Sequence, residues 1–139
     1  MGTTIRAELS NKNPYWIERH RYYELKHFCL QYPIWKKEYA AISEIKSHQS
    51  DIIVSSEAQF TSDTTSKCAI EKAYYSKRID MLERMAKLTD PVLGMYILTG
   101  VTEGRSYDNL KAIFNIPCCK DAYYDLYRKF FWLLDKERE

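Results

Sequence analysis

Apolar residues recur at helical spacing along most of this chain. Trp16, Tyr23 and Leu30 fall on one side, with Ile17, Leu25 and Phe28 beside them, which predicts an amphipathic helix with a broad apolar face. Asn13-Pro14 reads as its start, since Asn is a good N-cap and Pro is tolerated at the first helical position. Residues 1–12 read as a frayed lead-in. Pro33 ends this helix and can open a second, whose buried side holds Ile34, Trp35, Tyr39, Ile42 and Ile45. The pattern then breaks. Residues 47–62 are polar and Ser-rich apart from Ile52-Ile53-Val54, and read as a linker or mobile loop. This gives three segments: a helical pair over 1–46, the linker over 47–62, and the remainder over 63–139.

A long helix is expected from about Asp63 to Leu88. Ile70, Tyr74, Met81, Met85 and Leu88 form one stripe, and Cys68, Tyr75, Ile79 and Leu82 form another beside it. Asp90-Pro91 opens a short helix over Val92 to Val101, closed near Gly100 and Gly104. Ser106 caps a helix through Phe114, Asn115-Ile116-Pro117 makes a turn, and a last helix runs from Cys118 or Cys119 to about Lys136. The chain therefore reads as all-α, with about six helices, a long central helix and a C-terminal helix-turn-helix.

Composition narrows the class. The 139 residues include only 4 Gly and 4 Pro, too few for a chain of short strands and tight turns. Hydrophobic residues make up 45% and charged residues 29%, ordinary values for a globular protein. No apolar run approaches a membrane span, and Met1 to Asn13 lacks an apolar signal core. The four cysteines, Cys29, Cys68, Cys118 and Cys119, form no CxxC pair. They read as reduced thiols in a cytoplasmic protein, with no metal site. The net charge of +2 supplies little global attraction to nucleic acid, so any DNA binding rests on a local patch.

That patch is sought in the helix-turn-helix. Leu110, Ile113 and Ile116 are expected to form its small core. Tyr123, Leu126, Tyr127, Phe130 and Leu134 are expected on the inner face of the second helix. Lys120, Asp121 and Tyr124 are expected outward near that helix's start, with Arg128 a turn further on. A helix fits the major groove, and its first turn can meet phosphates and base edges. Lys120 and Arg128 are candidates for phosphate or guanine contacts, and Tyr124 for a backbone hydrogen bond or a thymine methyl. Arg105 and Lys111 are candidates for gripping a phosphate at the groove edge. Asp121 and Asp125 place negative charge on the same helix. Six aromatics (Tyr123, Tyr124, Tyr127, Phe130, Phe131, Trp132) cannot all face one side, so some must be covered by another element or another subunit, and with the two stripes of the long helix a homodimer is expected. Arg19, His20, Lys26 and His27 read as a solvated helix flank. No nucleophile elbow, phosphate loop or zinc motif is present, so an enzyme and a cofactor are not expected.

Three stretches carry a resemblance. They are NPYWIERHRYYELKHFCLQYP (Asn13 to Pro33), AIEKAYYSKRIDMLE (Ala69 to Glu83), and VTEGRSYDNLK with IPCCKDAYYDLYRKFFWLL. Together they resemble small phage and prophage proteins of Gram-positive gut bacteria. Some of those are similar to ArpU/RinA-type late-gene transcriptional regulators, whose C-terminal part is like the promoter-reading region of sigma factors. The resemblance implies a phage-encoded regulator that binds duplex DNA, with RNA polymerase as a further partner. The alternative is a helical packaging or interaction adaptor, such as a small terminase-like subunit or a host-factor antagonist.

Overall fold

The computed structural model describes residues 13–52 and 58–139, and for 45–52 and 58–65 the backbone alone. Among the described residues there are six helices and no strand: α1 (Arg19–Leu30), α2 (Tyr32–Ile52), α3 (Ala58–Thr89), α4 (Gly94–Glu103), α5 (Tyr107–Phe114) and α6 (Lys120–Glu137). The all-α expectation holds. Contacts divide the chain into two units, residues 32–80 and residues 13–31 with 81–139. The divisions fall beside Pro33 and inside α3, and the helical backbone extends into the Ser-rich stretch from both sides. Residues 1–12, and the part of the expected linker at 53–57, lie outside the described residues.

Local chemistry explains most helix ends. Asn13 does not start α1. Its carboxamide oxygen instead accepts from the N–H of Tyr15 at 2.8 Å, and its carbonyl from the N–H of Trp16 at 3.0 Å, closing a turn. The cap of α1 is Glu18, whose carboxylate accepts from the N–H groups of His20 and Arg21. Those bonds lower its pKa. Pro33 has no N–H to offer the α1 ladder, so the helix tightens at Gln31 and restarts at Tyr32. Asp90 accepts from the N–H groups of Val92 at 2.8 Å and Leu93 at 2.7 Å, capping the turn that leads into α4. Gly104 ends α4 in the left-handed region, at φ 68°.

In the unit built from residues 13–31 and 81–139, α4 packs against α1, α5 and α6, and α1 packs against α6. Tyr22, Leu25, Cys29, Leu82, Ile97, Leu110, Ile116, Tyr123, Phe130, Phe131 and Leu134 are all fully enclosed. Two polar links bind α1 to α6. The hydroxyls of Tyr22 and Tyr127 lie 2.6 Å apart, and Arg21 Nε donates to Asp135 at 2.6 Å. The buried hydroxyls of Thr89 and Thr102 donate to the carbonyls of Met85 and Leu98, one turn back in their own helices.

Two glycines permit close crossings. A Cβ on Gly94 would stand 2.5 Å from the Ala86 carbonyl oxygen, so the α3–α4 approach requires a residue without one. A Cβ on Gly100 would collide with the Tyr123 hydroxyl and sit 3.2 Å from a Leu110 methyl.

In the unit of residues 32–80, Tyr32, Trp35 and Ile42 are buried. Lys72 of α3 stands over the Tyr39 ring of α2 at 5.2 Å. An open cavity of about 220 Å³ is lined by Lys36, Tyr39, Ser76, Ile79 and Asp80. Ile34, expected inside, is exposed, as are Ile70 and Tyr74 of α3 and Leu88 beyond this unit. Apolar residues go round these helices, and cover is available on one side only.

Candidate nucleic-acid interface

The unit α4–α5–α6 contains the expected helix-turn-helix. Ser106 accepts from the N–H of Asn109 at 3.1 Å and starts α5. After the eight residues of α5, Asn115 takes the left-handed conformation, at φ 52°, and stops it. Asn tolerates that conformation because its short polar side chain bonds locally. Ile116 then drops into the core with Leu110, both fully buried. Ile113, the third residue expected there, is 58% exposed. Cys119 is the N-cap of α6 in extended geometry, and Cys119, Lys120 and Asp121 are exposed.

Tyr107 joins the two helices. Its hydroxyl donates to the Cys118 carbonyl at 2.6 Å, and its backbone N–H donates to the Tyr124 hydroxyl at 3.3 Å. Lys111 Nζ donates to the Ile116 carbonyl at 3.3 Å, holding the turn from the α5 side. Nothing in the pattern singled out Tyr107. Its position just after the Ser106 cap, where a helix leaves N–H groups without partners, was the available signal.

The five candidate contact residues fare differently. Lys120 is exposed on the first turn of α6. Lys111 is exposed but engaged with the turn. Arg105 is half-buried: its Nε donates to Glu103 and its Nη1 to Asn109, each at 2.7 Å, and its guanidinium lies 5.3 Å from the Phe114 ring centre. Arg128 keeps only 17% of its side-chain surface and donates to Asp125 at 2.7 Å. Tyr124 is the correction. It is 3% exposed, not outward, and its ring packs against Tyr123 and Tyr127. Helix α6 is covered by α1 and α4 as well as linked to α5, so consecutive tyrosines both turn inward. The outward surface of its first turns carries Lys120, Asp121 and Asp125.

The aromatics of α6 are largely satisfied within one chain. Tyr123, Tyr124, Tyr127, Phe130 and Phe131 are buried. Trp132 is half-buried, with its ring edge-on to Tyr15 at 5.5 Å and Lys136 above it at 4.4 Å. The sequence argument for a partner from these rings therefore loses its basis. Exposed apolar surface lies elsewhere, at Leu88, Val92 and Met95 around the α3–α4 turn, exposed by 57%, 74% and 65%.

Burial pushes the phenols of Tyr123 and Tyr127 far above their ordinary value, so both remain neutral donors or acceptors. Among the described residues, no three His, Cys, Asp or Glu side chains gather to hold a metal ion, and no helix is long and apolar enough to cross a membrane. Comparison with known proteins finds no matching family model, no matching curated protein and no matching solved structure.

Proposed function

We propose that this protein binds duplex DNA through α5, the turn at 115–119 and α6, and acts as a phage-encoded regulator of late genes. The supporting observation is the three-helix unit itself. A Ser-capped helix of eight residues, a left-handed Asn turn, a buried turn residue and a second helix with an exposed N-terminal turn make the layout that helix-turn-helix DNA readers use. The resemblance to ArpU/RinA-type regulators supplies the late-gene assignment.

The contact set differs from that expected of the sequence. Lys120 is the leading phosphate contact. Lys111 is exposed but would have to leave the Ile116 carbonyl to reach phosphate, whereas Arg105 and Arg128 are held by Glu103, Asn109 and Asp125 and rank behind it. Tyr124 acts behind the surface by fixing the first N–H of α5. The test is fluorescence anisotropy with the phage's late-promoter duplex and a scrambled duplex, across a salt series. Lys120→Ala is expected to weaken both and to lower the salt slope by about one. Failure of the parent protein to bind either duplex at low salt overturns the reading.

The exposed Leu88, Val92 and Met95 favour one second reading, a protein-binding adaptor. It predicts that Val92→Asp abolishes capture of a partner while leaving the fold intact.

A further inference from the structure

Two thiols stand side by side where the turn enters α6, Cys118 half-buried and Cys119 exposed. The backbone around them is held on both sides. The Cys118 carbonyl accepts the Tyr107 hydroxyl at 2.6 Å, and the Cys119 carbonyl accepts the N–H of Tyr123 at 3.0 Å. The Cys119 side chain makes no capping hydrogen bond.

This geometry disfavours a bond between the two sulfurs. Adjacent Cα atoms are about 3.8 Å apart across a trans peptide, short of the roughly 4.4–6.8 Å that disulfides span. The clamped peptide cannot easily distort to compensate. A single soft atom placed between the sulfurs removes the problem, because each sulfur bonds to it rather than to the other. Among the described residues no third metal-ligating side chain joins the pair. The ligand that fits is thiophilic and has two exchangeable positions.

We propose that Cys118 and Cys119 form a chelating dithiol site for a monosubstituted trivalent arsenical, R–As(OH)2. The exposed Cys119 thiol condenses first. One As–S bond forms, one As–O bond breaks, and the thiol proton leaves with the hydroxide as water. Cys118 closes the ring in the same way with loss of a second water. Arsenic stays trivalent and no oxidant is required. The site lies in the turn at 115–119, and its chemistry does not rest on the DNA reading.

The probe is phenylarsine oxide with the reduced full chain, read by intact mass and by peptide mapping. One adduct per chain is expected, with two thiols lost, located on the peptide holding Cys118 and Cys119. It should resist excess monothiol and be removed by a dithiol. Cys118→Ser and Cys119→Ser should each make the adduct labile to monothiol, while Cys29→Ser with Cys68→Ser should keep it. An adduct mapped to Cys68, or one equally resistant in Cys119→Ser, overturns the proposal. Mapping on the unsubstituted chain gives an answer even where a variant folds poorly.

Discussion

Gly100 and Tyr123 form a steric pair whose energetics can be worked out in advance. Alanine at position 100 should help α4 by about 1 kcal/mol on intrinsic helix propensity alone. Its Cβ, however, occupies the space of the Tyr123 hydroxyl and presses a Leu110 methyl at 3.2 Å. Neither neighbour has room to yield, since Tyr123 is 1% exposed and Leu110 fully buried. Overpacking of this kind typically costs roughly 1–3 kcal/mol. The net expectation for Gly100→Ala lies between no change and a loss of about 2 kcal/mol. Among the described residues, the Tyr123 hydroxyl is buried without a hydrogen-bond partner, so Tyr123→Phe removes an unsatisfied group and should be neutral or slightly stabilising. Removing the oxygen also removes the main obstacle to the new methyl. The double variant should escape most of the clash, giving a coupling of about 1–3 kcal/mol in a double-mutant cycle. Urea denaturation, followed by circular dichroism, measures all four corners. Additive effects within about 0.3 kcal/mol, or a Gly100→Ala protein stabilised by the full propensity gain of about 1 kcal/mol, would refute this crossing.

Gly94→Ala should be worse and have no such rescue, because its Cβ meets the Ala86 backbone rather than a side chain; a loss of about 2–3 kcal/mol by urea melt is expected. Tyr127→Phe should cost about 1–2 kcal/mol in the same assay, by taking away the partner 2.6 Å from the Tyr22 hydroxyl. The Asp90 carboxylate is held below its ordinary pKa by the N–H groups of Leu93 and Val92. Its contribution should be full above the unfolded value of about 3.9 and vanish as pH falls through the lower folded value. Asp90→Asn, which keeps a capping oxygen without the charge, should flatten that part of the stability-versus-pH curve; an unchanged curve would count against the cap.

Helix ends were legible where a side chain completes the backbone locally. Ser106, Asp90 and Pro33 all act within a few residues of themselves, so their effect can be read from neighbouring letters. Asn13 shows the limit: Asn serves turns and caps alike, and Glu18 was the better acceptor for α1. Tyr124 was not legible for a different reason. Period alone places it on an outer face, but α6 is surrounded by α1, α4 and α5, two of them distant in sequence. Ile113 and Ile34 fail in the opposite direction, being apolar residues for which no neighbour arrives. Of the candidate interface, Lys120 was readable, and the partners of Arg105 and Arg128 lie within four residues of them, whereas the Tyr107 bridge depends on contacts 11 and 17 positions away.

The links between α1 and α6 set a schedule for folding during synthesis. Tyr22 and Tyr127 are separated by 105 positions. At about 5–20 residues per second, the ribosome reaches Tyr127 roughly 5–20 s after Tyr22. Throughout that interval Tyr22, Leu25, Phe28 and Cys29 have no α6 to cover them, while residues 32–80 are being made. The nascent chain therefore carries an aromatic-rich helix without its α6 cover for that whole time. Ribosomes stalled before Tyr127 should display that helix in a protease-sensitive state, and release of the finished α6 should protect it in one step.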